Sequence, residues 1–144
     1  MGELHKELAA QLEREEGRVK HVYQDHLGYW TIGVGRLVDK RKGGKLRDSE
    51  IDFMLANDIS EFQAAVLKKL PWAANLSPAR LGVLIAMSFQ MGVEGLLEFK
   101  NTLKTIQAGD YKTSAEMLLQ SKWAGQTPAR AKRMAKQMET GVWQ

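Results

Sequence analysis

The sequence predicts an α+β fold, mostly α, in two lobes: a small antiparallel β-containing lobe and a helical lobe, joined by a long helix. Three observations predict it. Apolar residues recur at helical spacing before Gly17, switch to a two-residue alternation among glycines over residues 19–38, and return to helical spacing for nearly all the rest. At 144 residues the chain fits one domain, 1–144, that can bury a real core without a disulfide or a metal. Within it, 17–47 is expected to be the small lobe, 48–70 the connecting helix and 71–144 the helical lobe.

Residues 3–16 read as the first helix, because Leu4, Leu8 and Leu12 stand at i, i+4 and i+8 and Gly17 is placed as a C-terminal cap. It is expected to pack between the lobes. From Val19 the period changes, and Val22 and Tyr23 lead through Asp25-His26-Leu27-Gly28 into residues 29–38, a hairpin turn between two short strands. In the second strand Trp30, Ile32 and Val34 alternate with Thr31, Gly33 and Gly35, so the first set is expected to pack. The second set leaves a face of nearly bare backbone that a ligand can approach. Lys40 to Lys45 is a charged, glycine-containing loop.

Asp48 to Leu70 is amphipathic, carries Phe53, Ile59, Phe62 and Val66, and is closed by Pro71. Ser77-Pro78 is an N-cap followed by proline at the first helical position, opening a helix to Gly92 that is apolar nearly all round and is the expected centre of the larger lobe. Shorter helices are predicted at about 93–98, 101–108 and 111–123, and Thr127-Pro128 opens the last. No run of membrane-spanning length is expected, and Met1-Gly2-Glu3-Leu4-His5-Lys6 lacks the layout of a secretory signal, so synthesis is expected to end in a cytoplasm.

Composition narrows the chemistry. Cysteine is absent, which excludes thiol catalysis and a cysteine-ligated zinc. His5, His21 and His26 lack metal-ligand spacing and read as surface histidines, so neither a metal nor a cofactor is expected. A net charge of +4 favours approach to a polyanion without choosing among nucleic acid, an anionic membrane and an acidic wall polymer.

Carboxylates in the first lobe are more informative. Cleaving a glycosidic bond takes one carboxyl kept protonated as general acid and a second kept ionised, with the bond between them. The carbonyls at the end of the first helix present partial negative charge, which suits the acid. Glu15 and Glu16 both occupy that end, and helical phase does not choose between them. Asp25, at the hairpin turn, has a polar setting that suits the ionised partner, and the Thr31 hydroxyl is placed to hold a water beside it.

Glu16-Gly17, Tyr23-Gln24-Asp25, Gly28-Tyr29-Trp30-Thr31-Ile32-Gly33-Val34-Gly35, Phe89-Gln90-Met91-Gly92 and Gln126 to Arg133 resemble the signature segments of the T-even bacteriophage lysozyme family, glycoside hydrolase family 24. The match is collinear over nearly the whole chain and keeps the spacing Glu-x8-Asp-x5-Thr. The resemblance implies an inverting endolysin, with a lysozyme-like two-lobed fold, that hydrolyses the β-1,4 bond between N-acetylmuramic acid and N-acetylglucosamine in peptidoglycan. It also selects Glu16 over Glu15 as the acid, with Asp25 and Thr31 in the roles above. Inversion implies carboxyls roughly 6.5 to 9.5 Å apart with a water between.

The same resemblance implies substrate contacts at Leu37, Phe89 and Thr102, and at Met117, where the phage enzyme has an asparagine. Arg130 matches an arginine that pairs with the catalytic glutamate. Arg36 stands where the phage enzyme has histidine, and an ion pair of Arg36 with Asp58 is expected. The loop at Lys40 to Lys45 is shorter than its counterpart.

The expected partner is therefore peptidoglycan and not nucleic acid, met by a monomer made in a host cytoplasm and acting on the periplasmic wall once the membrane is breached. The last helix, with Arg130, Lys132, Arg133 and Lys136 among Ala131, Met134, Ala135 and Met138, reads as half packed and half solvated, with weak contact to anionic outer-membrane lipid as a secondary role. Two alternatives are weighed against this. A lytic transglycosylase would act on the same bond but needs no second carboxylate, so Asp25 and Thr31 speak against it. A non-catalytic wall-binding or nucleic-acid-binding module has only the basic charge in its favour.

Overall fold

The first helix, α1 (Glu3–Glu16), ends where the sequence places its cap: Gly17 takes φ 77° and its N–H bonds the Glu13 carbonyl at 2.9 Å. The computed structural model describes residues 2–38 and 45–144. These divide into two compact units, Met1–Phe53 and Met54–Gln144. The loop at Lys40 to Lys45, expected to be short, lies, but for Lys45, outside the described residues.

In the first unit α1 is followed by β1 (Val19–Gln24), β2 (Trp30–Gly33) and β3 (Arg36–Leu37), an antiparallel sheet in that order. Tyr23 pairs with Thr31 across β1 and β2, and Thr31 with Leu37 across β2 and β3. The sequence predicted one strand through residues 29–38, and the structure instead turns it back at Val34-Gly35. A second hairpin forms because Gly33 and Gly35 both take φ +67°, which L side chains rarely adopt.

The packed face also differs from expectation. Trp30 is 44% and Val34 38% exposed, whereas Thr31 is 3% exposed and is the one buried residue among those described in this unit. Alternation fixes which residues share a face but not which face is covered. No side chain of α1 is buried.

Helix α2 (Asp48–Lys69) runs from the first unit into the second, and Pro71 follows it in a 3-10 turn (Pro71–Asn75). Next comes α3 (Pro78–Leu97), whose N-cap Ser77 accepts from the Arg80 N–H as its sequence predicts. The helical path is interrupted at Gly92, with φ 78° and ψ 160°, the predicted break. By length and composition alone α3 could cross a membrane, but Val83, Leu84 and Met87 are taken up by the core. The remaining helices are α4 (Lys100–Gln107), α5 (Tyr111–Leu119), α6 (Lys122–Gln126) and α7 (Pro128–Thr140). Residues 111–123 thus form two helices rather than one, because Ser121 accepts from the Ala124 N–H and caps a new start.

The core of this unit joins Val66 and Leu70 to Leu84, Met87, Leu96, Ile106, Leu118 and Met138. On α7, Ala131, Ala135 and Met138 are buried while Arg130, Lys132, Arg133 and Lys136 are exposed, the division its spacing predicts. Arg80 closes the far end of that helix by donating to the Met138 carbonyl at 2.7 Å and the Glu139 carbonyl at 2.8 Å.

Candidate active site

Glu16 is the last residue of α1, and the helix end sets its carboxyl against the second hairpin turn. A β-carbon built on Gly35 would lie 2.7 Å from Glu16 Oε2 and 2.9 Å from its Cδ, so a larger residue there would turn the carboxyl aside from this position. The bare backbone expected to admit a ligand thus first admits this carboxylate. Glu15 and Glu16 are both exposed, and neither side chain has a hydrogen bond or ion pair among the described residues. Gly35 is a contact that sequence reading missed, its signal being the second glycine of Gly33-Val34-Gly35.

Asp25 is built into the first turn. Its Oδ1 accepts from the Leu27 and Tyr29 N–H groups, each at 2.9 Å, and its own N–H donates to the Tyr29 carbonyl at 2.8 Å. Such a turn holds the carboxylate rigidly, because the residue's side chain and backbone are both tied to the strand that follows. Oδ2 is left without a protein partner among the described residues, open to water.

Thr31 is tied to the same peptide. Its hydroxyl donates to the Tyr29 carbonyl at 3.1 Å. Tyr29 therefore joins the two residues, its N–H on Asp25 Oδ1 and its carbonyl shared by the Asp25 N–H and the Thr31 hydroxyl. With its hydrogen committed there, the Thr31 oxygen retains lone pairs that can accept from a water. Tyr29 is the second residue missed from sequence, since a backbone role leaves no mark on residue type. Leu37 lies opposite Thr31 on β3 and is partly buried.

Arg36 takes a different partner from the one expected. Its guanidinium forms an ion pair with Glu50, in the first turn of α2, and also donates to the Lys45 carbonyl, so Glu50 rather than Asp58 is its carboxylate. Glu50 also accepts from the Arg47 N–H at 2.8 Å, which fixes it at the helix start.

The other predicted contacts belong to the second unit. Phe89 is 45% exposed and packs on Phe62 with ring centroids 5.1 Å apart. It lines an apolar cavity of about 780 Å³ together with Arg130, whose side chain is exposed. There the Trp123 indole N–H donates to Gln90 Oε1 at 3.1 Å. Thr102 and Met117 share a smaller pocket of about 260 Å³ between α4 and α5.

Residues 13–137 match the family model for phage lysozyme. The chain is 32% identical to probable T4-type lysozyme 1 of Dictyostelium discoideum, over 91% of this chain and 92% of that protein. Probable T4-type lysozyme 2 of the same organism is 29% identical, over 91% of this chain and 92% of its own length. The pre-baseplate central spike protein Gp5 of Enterobacteria phage T4 is 28% identical over 93% of this chain, which spans 28% of that protein.

Proposed function

This chain belongs to the phage lysozyme family, and as a cell-wall glycoside hydrolase of the muramidase type we propose that it hydrolyses the β-1,4 bond between N-acetylmuramic acid and N-acetylglucosamine in bacterial peptidoglycan, with inversion. The observation that carries the reading is the Asp25-Tyr29-Thr31 arrangement, a fixed carboxylate and a hydroxyl tied to one peptide. Asp25 Oδ2 and Thr31 Oγ1 orient a water. As that water attacks the anomeric carbon, Asp25 takes its proton and the bond to the glycosidic oxygen breaks. Glu16 gives its proton to the departing oxygen, from the opposite face of the sugar.

Leu37, Phe89, Thr102 and Met117 contact the glycan. The enzyme is a monomer that is made in a host cytoplasm and lyses the host once the inner membrane is breached. The exposed basic residues of α7 give it weak affinity for anionic outer-membrane lipid.

Digestion of purified peptidoglycan by the wild type and by Glu16→Gln, followed by mass analysis, tests the reading. Hydrolysis yields muropeptides with reducing ends from the wild type alone. Products ending in 1,6-anhydromuramic acid would overturn it in favour of a transglycosylase, and no products from the wild type would leave only a binding module.

A further inference from the structure

The small pocket between α4 and α5 contains a polar group with no protein partner. Thr102 is 6% exposed, yet its hydroxyl has no hydrogen bond among the described residues. No buried side-chain polar atom is left unpaired among them, so that hydroxyl reaches the solvent of the pocket. Around it stand Phe99, Lys100, Asn101, Met117 and Gln120. α4 begins here without a side-chain cap, so its first backbone N–H groups add donors.

Met117 and Gln120 are three residues apart at the end of α5 and share one side of that helix. The Met117 sulfur lies 4.0 Å from the Thr105 hydroxyl, which also meets Ser114 at 2.7 Å beneath the pocket. Met117 is therefore part of a fixed floor, and it offers a ligand apolar surface rather than a donor. Gln120 is exposed, and its carboxamide has no partner among the described residues.

The volume, about 260 Å³, falls just short of the roughly 300–1,000 Å³ of sites that take whole small ligands. One sugar residue of a longer chain fits that size. A hydroxyl, an amide and an apolar floor match the hydroxyls, the acetamido group and the methyl of an N-acetylated sugar.

We propose that Gln120 is a specificity-determining residue, whose carboxamide reads the acetamido group of an N-acetylated sugar seated on Thr102 and Met117. This rests on the reading of the substrate as an N-acetylated glycan. In this chain the amide comes one helical turn after Met117, which itself carries none.

Two measurements on the full chain test it. In a titration with tri-N-acetylchitotriose followed by NMR, the Gln120 side-chain NH₂ resonances shift, and Gln120→Ala weakens binding about tenfold, as loss of one hydrogen bond of about 1.4 kcal/mol requires. On peptidoglycan, Gln120→Ala raises KM about tenfold with kcat within about twofold, the mark of lost binding rather than lost chemistry. Met117→Asn in the Gln120→Ala background restores most of the affinity. Unchanged KM and unshifted resonances would overturn the proposal, as would a lowered Tm with KM unchanged. In either case wild-type hydrolysis of peptidoglycan would leave the proposed function standing, whereas an inactive wild type would remove the function itself.

Discussion

The Glu16 carboxylate lies directly over the α-carbon of Gly35, so close that a β-carbon there would come within 2.7 Å of Oε2. The carboxyl of the helix end thus occupies space beside the hairpin turn that a residue without a side chain leaves open. Gly35 is a functional position for what it lacks.

Gly33 provides the control. It has the same φ of +67°, but a β-carbon on it would meet nothing within 4 Å. Alanine at either site therefore carries the same backbone cost, about 1–2 kcal/mol. Gly35→Ala also displaces Glu16 and should lower kcat about 100-fold, as a misplacement near 1 Å does. Gly33→Ala should keep its turnover. Equal losses of activity in the two variants would mean that the contact with Glu16 is incidental.

Exchanging the neighbouring glutamates separates the two candidates that helical phase left open. Glu16→Gln should fold with unchanged Tm and lose roughly 100-fold to 10,000-fold in turnover. Glu15→Gln should remain active. The reverse result, from the same turbidity assay, would reassign the acid.

For Thr31 the relevant facts are its burial and its single donated bond, 3.1 Å to the Tyr29 carbonyl. Thr31→Val removes that bond and should cost about 1 kcal/mol of stability as well as most activity. Thr31→Ser keeps the hydroxyl and should recover most of the turnover. Calorimetry and initial rates on the two variants check both statements.

Arg36 and Glu50 are 29% and 31% exposed, so their pairing is screened by water and should contribute no more than about 1 kcal/mol. Arg36→Gln should lower stability by that amount or less. A guanidinium keeps its charge throughout the neutral range, so urea denaturation should give the same loss at about pH 6 and about pH 8. A histidine-like change between those two values would show that another group governs this contact.

The parts of the fold legible in the sequence were those that single residues punctuate. Gly17, Pro71, Ser77-Pro78, Gly92 and Thr127-Pro128 each act through their own backbone or cap, and each marks a boundary within about one residue of the observed one. What could not be read depends on partners. Ser121 begins a helix only because the Ala124 N–H turns back to it. Trp30 and Thr31 exchange exposure relative to expectation because a short strand's alternation is symmetric until something covers one side. Arg36 chooses Glu50 over Asp58 because the start of α2 brings that carboxylate to it. At the candidate site residue types pointed to Glu16, Asp25 and Thr31, while Gly35 and the Tyr29 peptide, which hold them, act through backbone and were invisible.

The anomeric form of the first product tests the mechanism most directly. Proton NMR on a digest followed from its first minutes, before mutarotation, reads the configuration at the new reducing end of N-acetylmuramic acid. Attack by a water held on Asp25 and Thr31 predicts the α-anomer from the β-linked chain. The β-anomer as first product would mean two displacements through a covalent intermediate on Asp25, and would contradict the role given to the water and to Thr31.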